Sequence, residues 1–220
     1  MRKIITNTFI SIDGVMQSPG APEEDRSGNF EFGGWVFSYW DEVMNKVMGE
    51  NMATPTDLLL GRKTYEIFAA HWPFMKDDPM AEQFNKATKY VATNSLSSVT
   101  WENTKLLKDF VEDIKGLKKS DGNDLMVHGS GNMIQSLLRH NLIDEMNIWI
   151  FPLMLGKGKK LFVDGPLPSN MKLKKSVTST TGVVITQYVP GGEIKVDGSF
   201  ALATPSALEL ERRKKVAKEG

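Results

Sequence analysis

The chain has 220 residues, of which 40% are hydrophobic, enough for one domain with a substantial core and an appendage. Acidic and basic residues balance at 27 each, so no global field draws the protein to nucleic acid or to an anionic membrane. The lack of cysteine excludes a disulfide framework and a thiolate metal site, and three histidines argue against a histidine-rich metal centre. No run approaches the ~20 apolar residues of a membrane span, and the N-terminus lacks a signal-peptide core. A cytoplasmic protein without a metal is expected.

The first half of the chain predicts strands that alternate with helices. Residues 3–12, rich in Ile, Thr and Phe, predict a strand that ends in the turn Asp13-Gly14. The loop 16–34 follows, and a loop of this length is typical of a functional or mobile segment. Hydrophobic periodicity then predicts a helix over 39–50, a strand over 57–61, helices over 63–70 and 80–87, and a strand over 89–93.

The second half continues the alternation and ends in strands. The pattern predicts a helix over 105–118, a strand over 124–128, a helix over 131–140, a strand over 143–151, a further strand considered over 159–163, and a hairpin over 171–178 and 182–190. This order predicts an α/β fold: a mostly parallel central sheet with antiparallel C-terminal edge strands and helices on both faces. Gly191-Gly192 marks a boundary, so we expect one domain over 1–190 and an arm with a charged helix over 191–220.

Two of the predicted strands end in residues that suit a phosphate. Gly61-Arg62-Lys63-Thr64 combines backbone N–H groups at a helix start with a guanidinium and a hydroxyl, and the planar charge of Arg62 suits a 2′-phosphate. Gly129-Ser130-Gly131 lets the backbone approach a pyrophosphate, although Ile134 breaks the G-x-G-x-x-G fingerprint of a Rossmann domain. The alternative for each is a plain strand-to-helix turn. Together, the two ends predict a dinucleotide and redox chemistry.

Polar residues near the first strand and the first helix are candidates for catalysis. Asp41 lies at the margin of the apolar stripe of its helix and could hold a substrate or supply a proton; the alternative is a capping carboxylate at the third helical position. Asp13 follows the first strand, where it lies near a ligand crevice or only forms a turn. Gln17 and Ser18 come just beyond and could line the same pocket as substrate-binding residues.

Two further residues have a functional and a structural interpretation. Lys157 belongs to the compact basic segment 156–160, which could neutralise a phosphorylated substrate or form a solvated loop. His128 ends a strand next to the glycine turn and could touch a ligand there. The three histidines lack the spacing of metal ligands, so each also has a structural interpretation.

Five segments in order resemble the dihydrofolate reductase superfamily, and most closely stand-alone relatives of the reductase domain of bifunctional riboflavin deaminase–reductases. The segments that carry the resemblance are Phe9–Val15, Leu60–Glu66, Val91–Ser95, Val127–Gly131 and Pro152–Gly158. The resemblance covers about 1–190 and implies a dihydrofolate reductase-like three-layer sandwich. It also implies a homodimer. A deaminase half would need zinc-binding cysteines, which this chain lacks.

The resemblance also implies an NADPH site and its residues. The residues that would hold the cofactor are Gly61, Arg62, Thr64, Asn94 and Ser95 at the adenosine phosphate end, and Gly129, Ser130 and Gly131 at the pyrophosphate. The nicotinamide would lie near the first strand and the Asp13 turn. Asp41 would approximate the acidic residue that dihydrofolate reductases place on the helix after the first loop.

The leading hypothesis is an NADPH-dependent reductase that transfers hydride to a pteridine, pyrimidine or related heterocycle, of the riboflavin-pathway or dihydrofolate type. Asp41 or an ordered water would deliver the proton, and the loop 16–34 could close as a lid. One alternative is a non-catalytic nucleotide- or pterin-binding protein of the same fold. Another is a dimeric interaction protein that uses the basic C-terminal helix.

Overall fold

A mixed sheet of eight strands forms the centre of the molecule. The structure is a computed structural model that describes residues 1–162 and 168–219. Its strands, in chain order, are β1 Ile4–Ser11, β2 Thr56–Gly61, β3 Lys89–Ala92, β4 Thr104–Leu107, β5 Asp124–His128, β6 Glu145–Phe151, β7 Met171–Thr178 and β8 Val184–Pro190.

Six α-helices accompany the sheet in the described part of the chain: α1 Glu42–Met52, α2 Arg62–Ala69, α3 Pro79–Lys86, α4 Phe110–Lys119, α5 Gly131–Arg139 and α6 Ala207–Val216. Four of them begin after a residue whose side chain accepts a hydrogen bond from a first-turn N–H group; these caps are Asp41, Asp78, Asp109 and Ser206. The other two, α2 and α5, begin after Gly61 and Ser130 without a side-chain cap.

The strand order is β4-β3-β2-β5-β1-β6-β8-β7. The first six strands of the chain run parallel to one another, whereas β8 runs antiparallel to both of its neighbours, β6 and β7. The predicted α/β fold, with a mostly parallel sheet and an antiparallel C-terminal edge, is therefore confirmed. Because β5, β1 and β6 are parallel neighbours, their carboxyl ends lie at the same edge of the sheet, which is the edge where open α/β sheets bind ligands.

Apolar side chains on both faces of the sheet hold the helices in place. Successive side chains of β1 point to opposite faces, so Ile4 packs with residues of α4 and α5, while Phe9 packs with residues of α1. On the face that carries α1, the side chains of Leu58 and Leu60 of β2 pack against α2 and α3. The sheet is thus the middle of three layers.

The structure differs from the predicted elements at two places, residues 104–107 and residues 159–163. Residues 104–107 form β4 and not the start of a helix, because they pair with β3; the helix begins only after the Asp109 cap. At the strand considered over 159–163 there is a single bridge, between Val15 and Lys160, and residue 163 lies outside the described residues. In the arm, residues 191–206 contain no helix or strand, and α6 follows.

A buried ion pair links the start of the chain to β2. The Arg2 guanidinium contacts the Asp57 carboxylate, and the two residues are only 3% and 7% exposed. Arg2 also donates to the Tyr90 hydroxyl and lies 5.2 Å from the centroid of that ring. Asp57 accepts a further hydrogen bond from the Thr88 N–H group. These contacts hold the amino ends of three strands together.

Asp57→Asn leaves the buried Arg2 guanidinium without its counter-charge. We expect a loss of about 3 kcal/mol or more in the free energy of unfolding, measured by urea denaturation, because breaking a buried pair leaves an uncompensated charge. The control is Glu23→Gln, which breaks the exposed pair with Arg26 and is expected to cost less than about 1 kcal/mol. Equal losses in the two variants would contradict the importance of the Arg2–Asp57 pair.

Candidate functional site

The two strand ends selected from the sequence lie side by side at the carboxyl edge of the sheet. Strands β2 and β5 are neighbours, and a Cβ atom added at Gly61 would lie 2.6 Å from the Ser130 hydroxyl oxygen. The third strand end is that of β3, where Ala92 pairs with Gly61. The carboxyl ends of β3, β2 and β5 therefore form one continuous row.

Both helices that begin at this row have free N-terminal amide groups. The first N–H groups of a helix have no partner within the helix, and the other four helices of the described chain satisfy one of theirs with a side-chain cap. The helices α2 and α5 have no such cap. Because helix N-termini carry partial positive charge, two adjacent uncapped termini form a place for an anion.

Arg62 is the first residue of α2, at the boundary between β2 and β3. Its guanidinium pairs with Glu66 one turn later, at 2.7 Å, and 39% of the side chain remains exposed. Thr64 lies on the same first turn and is partly buried, while Asn94 and Ser95 are exposed just after β3. The structure brings all four residues to the same part of the edge.

The glycine turn after β5 adopts an unusual backbone conformation. Gly129 and Ser130 both have positive φ angles, of 68° and 63°, and a non-glycine residue in this region costs about 1–2 kcal/mol. The Met16 side chain lies over the turn, since a Cβ atom added at Gly131 would be 3.2 Å from its sulfur. The predicted binding of a pyrophosphate at this turn stays a prediction, and it would require the flexible Met16 side chain to move.

Gln17 and Ser18 lie inside the folded loop 16–34. The Gln17 amide nitrogen donates to the Asp25 and Ser27 carbonyls, and its oxygen accepts from the Lys159 N–H group. The Ser18 hydroxyl donates to the Ala21 carbonyl. Both side chains are buried and hold the loop in shape. Their predicted contact with a substrate stays a prediction.

Asp13 anchors the segment that contains Lys157. Its carboxylate accepts hydrogen bonds from the Ser11 hydroxyl and from the N–H groups of Leu155 and Gly156. The Ser11 hydrogen bond, helped by the two backbone donors, holds the pKa of Asp13 below its usual value. An ionised Asp13 is poorly suited to donate a proton near neutral pH. Lys157 itself is exposed, and its role in substrate binding stays a prediction.

Asp41 is the N-cap of α1 and does not occupy the third helical position. Its carboxylate accepts from the Met44 N–H group and from both the N–H and the hydroxyl of Thr180. The Thr180 hydroxyl is the main reason why the pKa of Asp41 is lowered. Asp41 therefore joins α1 to the turn between β7 and β8, and its catalytic role stays a prediction.

A pocket between α1 and α3 contains residues that the sequence reasoning mostly missed. Asn7 and His128 lie at its base on neighbouring strands, where they are register partners of β1 and β5. The partly buried His128 ring lies 5.1 Å from the centroid of the Phe84 ring. Burial lowers the pKa of His128 to about 4, so its imidazole is neutral at pH 7. The sequence does contain a signal that would have identified Asn7: asparagine is uncommon in strands, and the rest of this strand is mostly apolar or β-branched.

The described residues hold neither a metal cluster nor a membrane helix. Within 1–162 and 168–219, no group of three or more His, Asp or Glu residues is arranged to bind a metal ion. Across the same residues, no helix has the length and apolar character needed to cross a bilayer.

The chain is similar to curated proteins of Bacillus subtilis and to several solved structures. The uncharacterized protein YyaP of Bacillus subtilis (strain 168) is 25% identical over 194 residues, which are 85% of this chain and 94% of YyaP. A solved structure from Shewanella sp. PV-4, named as a riboflavin biosynthesis protein by assignment, has a TM-score of 0.62 at 24% identity. The match covers 86% of this chain and 99% of that chain.

Two more solved structures share the fold. Dihydrofolate reductase from Enterococcus faecalis, complexed with NADP(H), has a TM-score of 0.56 at 15% identity, with 86% of this chain and 96% of that chain covered. A diaminohydroxyphosphoribosylaminopyrimidine deaminase/5-amino-6-(5-phosphoribosylamino)uracil reductase from Thermotoga maritima has a TM-score of 0.57 at 15% identity, with 86% and 56% covered. These likenesses confirm the dihydrofolate reductase-like fold.

A match to a family model identifies the family of this chain. The family model described as RibD C-terminal domain matches residues 2–185, which include both strand ends, the Asp13 turn and the pocket between α1 and α3. Together with the reductases that share the fold, this match supports an oxidoreductase of the pyrimidine and pteridine reductase group. The chain belongs to the RibD C-terminal domain family.

Proposed function

We propose that this protein is an NADPH-dependent reductase that transfers hydride to a pteridine, pyrimidine or related heterocycle. The observation that carries the proposal is the pair of uncapped helix N-termini, those of α2 and α5, side by side at the carboxyl edge of β2 and β5. Arg62 adds a permanent positive charge at the same edge. A dinucleotide with an extra phosphate matches this combination.

The cofactor would lie along the row of strand ends. Arg62, Thr64, Asn94 and Ser95 would hold the 2′-phosphate, beside the ends of β2 and β3. Gly61 and the turn Gly129–Gly131 would hold the pyrophosphate, because glycine lets the backbone approach closely there. The presence of NADP(H) in the Enterococcus faecalis dihydrofolate reductase supports this arrangement.

The proposed reaction needs a hydride and a proton. When bound, NADPH supplies the hydride, which carries two electrons to the acceptor carbon, while a proton reaches the neighbouring heteroatom and NADP⁺ results. The lowered pKa values of Asp41 and Asp13 make an ordered water the better source of that proton. The loop 16–34, which the hydrogen bonds of Gln17 hold in shape, would exclude bulk water from the reacting atoms.

The proposal extends to the assembly, the location and the division of the chain. We propose a homodimer, since no described residue pairs with the outer edge of β7. We also propose a cytoplasmic location, and the absence of a nucleic-acid partner, since the net charge is zero. We also propose that residues 1–190 are the reductase domain and that 191–220 are an added arm. The family match, which ends at residue 185, supports this division.

A non-catalytic nucleotide- or pterin-binding protein is the second candidate. The observation that favours it is that both candidate carboxylates are ionised and bonded within the protein. The two candidates predict different results in an assay of NADPH oxidation. Oxidation of NADPH in the presence of any reducible pterin or pyrimidine supports the reductase, whereas cofactor binding without oxidation supports the binding protein.

Arg62→Gln removes the charge proposed to meet the 2′-phosphate. We expect NADPH affinity to fall about 10- to 100-fold, since a charge-assisted hydrogen bond is worth ~1.5–3 kcal/mol, while NADH affinity stays unchanged. Fluorescence titration measures both. The control is Arg212→Gln, which also breaks an exposed helical Arg–Glu pair, but in the C-terminal arm. An equal effect on NADPH and NADH, or none on either, would refute the assignment.

Gly61→Ala tests the close approach of the two strand ends. The added methyl group would lie 2.6 Å from the Ser130 hydroxyl oxygen, so the Ser130 side chain or one of the turns must shift. We expect both NADPH and NADH affinity to fall by about tenfold, ~1.4 kcal/mol. Ser130→Gly removes the obstructing hydroxyl and suits the positive φ. The double variant should therefore bind like Ser130→Gly alone; if it binds as weakly as Gly61→Ala, the steric explanation fails.

A further inference from the structure

The arm segment 193–203 has the sequence pattern of a strand, but it forms no strand in the single chain. Apolar side chains occupy every second position of the segment apart from Gly198; they are Ile194, Val196, Phe200 and Leu202. Strict alternation of this kind indicates a strand with one buried face. In the structure all four side chains are exposed, Val196 at 92%, and residues 191–206 contain no strand. The apolar face of the arm segment therefore lacks the partner that its pattern predicts.

The outer edge of β7 is the matching unpaired element of the sheet. β7 is the last strand in the sheet order, and among the described residues it pairs only with β8. The unpaired N–H and C=O groups of such an edge can pair with an added strand. Eight residues of β7 span about 27 Å, at ~3.4 Å per residue. The arm segment is long enough to cover this edge when it is extended.

The two faces of β7 differ in chemistry. Met171 packs on the core next to α4 and α5, and Leu173 on the same face is 50% exposed. A bulge follows Leu173, so the next two residues face the same way. That second face lies on the side of α1, where Lys175 pairs with Glu50, and it carries all the charged residues of the strand: Lys172, Lys174 and Lys175.

The arm segment complements both faces of β7. Two β7 edges would repel each other, because each carries three lysines and no acidic residue. The polar face of the arm segment carries Glu193 and Asp197 against the single Lys195. Beside β7, this face can meet the lysines while the apolar face covers Leu173. The charges therefore favour pairing of β7 with the arm segment over pairing of β7 with itself.

We propose that two copies of this chain exchange their arms, and that the arm segment of each copy adds as a strand to the β7 edge of the other. Within one chain, the Asn170 amide holds the Gly191 and Glu193 carbonyls at the start of β7, and the described arm does not cover its own β7. Exchange of an identical element between two copies gives a closed dimer. The inference rests on the homodimer of the proposed function and assigns its interface.

The proposed interface is specific to chains that have the arm. The family match ends at residue 185, before the arm begins. The match to YyaP covers 94% of that protein but only 85% of this chain. A relative without the arm would lack this interface.

The first test measures the dimer in solution. Sedimentation velocity of the full-length chain should show a concentration-dependent dimer. Phe200→Asp places a charge on the apolar face and should raise the dimer dissociation constant about 100-fold or more, since burial of an unpaired charge is costly. The matched control is Ser199→Asp, which adds the same charge to the adjacent polar position and should not raise it. A monomeric wild type, or an equal effect of the two substitutions, would overturn the proposal.

The second test identifies the segments that meet, and the lack of native cysteine makes it direct. Ser176→Cys on β7 and Ser199→Cys on the arm segment are made in separate full-length chains, which are mixed and treated with a flexible bismaleimide. Both residues are exposed and lie near the middle of their segments, so either strand direction brings them within reach. This mixture should yield a cross-linked dimer.

The control mixture pairs Ser199→Cys with Glu82→Cys, an exposed position on α3 away from β7, and should yield no cross-linked mixed dimer. Equal cross-linking in the two mixtures would overturn the proposal. Cross-linking of Ser176→Cys chains only to one another would also overturn it, because that result indicates pairing between two β7 edges.

The arm exchange and the proposed function fail in different ways. If the dimer persists in Phe200→Asp and Ser176→Cys does not cross-link to Ser199→Cys, the exchange fails and the homodimer needs another interface. If wild-type protein does not bind NADPH, the reductase function fails and the exchange is unaffected. Phe200→Asp should bind NADPH like wild type, and thermal unfolding of each variant confirms that a lost dimer is not a lost fold.

Discussion

The close contact between the ends of β2 and β5 is the constraint on which the candidate site depends. A Cβ atom at Gly61 would lie 2.6 Å from the Ser130 hydroxyl oxygen, so a side chain at Gly61 would force the Ser130 side chain or one of the two turns to shift. Because the two strands are parallel neighbours, the helices that follow them both start at the carboxyl edge of the sheet, where the N–H groups of their first turns lie. The missing side-chain caps leave these groups available to a ligand.

The polar residues near the crevice fall into two groups. Asp13, Asp41 and Gln17 use their side-chain oxygens to hold loops and helix ends of the protein itself. Asn7 and His128 keep polar atoms that no described residue uses. A polar residue in a crevice is therefore an informative candidate only when its hydrogen-bonding capacity is not already satisfied by the fold. By this measure, the loop residues stabilise the crevice, whereas the two strand residues have hydrogen-bonding capacity that the described fold does not use.

Much of the fold can be predicted from local patterns of residues in the sequence. The alternation of apolar strands with amphipathic helices predicts the parallel sheet, and the final run of strands predicts its antiparallel edge. The prediction failed at β4, where Leu106 and Leu107 fit the apolar stripe of the following helix equally well. Their strand conformation comes from pairing with Val91 and Ala92 of β3, a partner that no local pattern identifies.

The sequence by itself determined the alternating elements, the glycine turns and the position of Arg62 at a helix start, because each depends on neighbours within a few residues. Only the tertiary structure decided that Asn7 and His128 lie together, since their adjacency comes from the pairing of β1 with β5 across most of the chain. It also decided that Asp41 and Asp13 are held by Thr180 and by the N–H groups of Leu155 and Gly156. Hydrogen bonds between distant segments leave no local pattern in the sequence, and they determine which polar groups remain free.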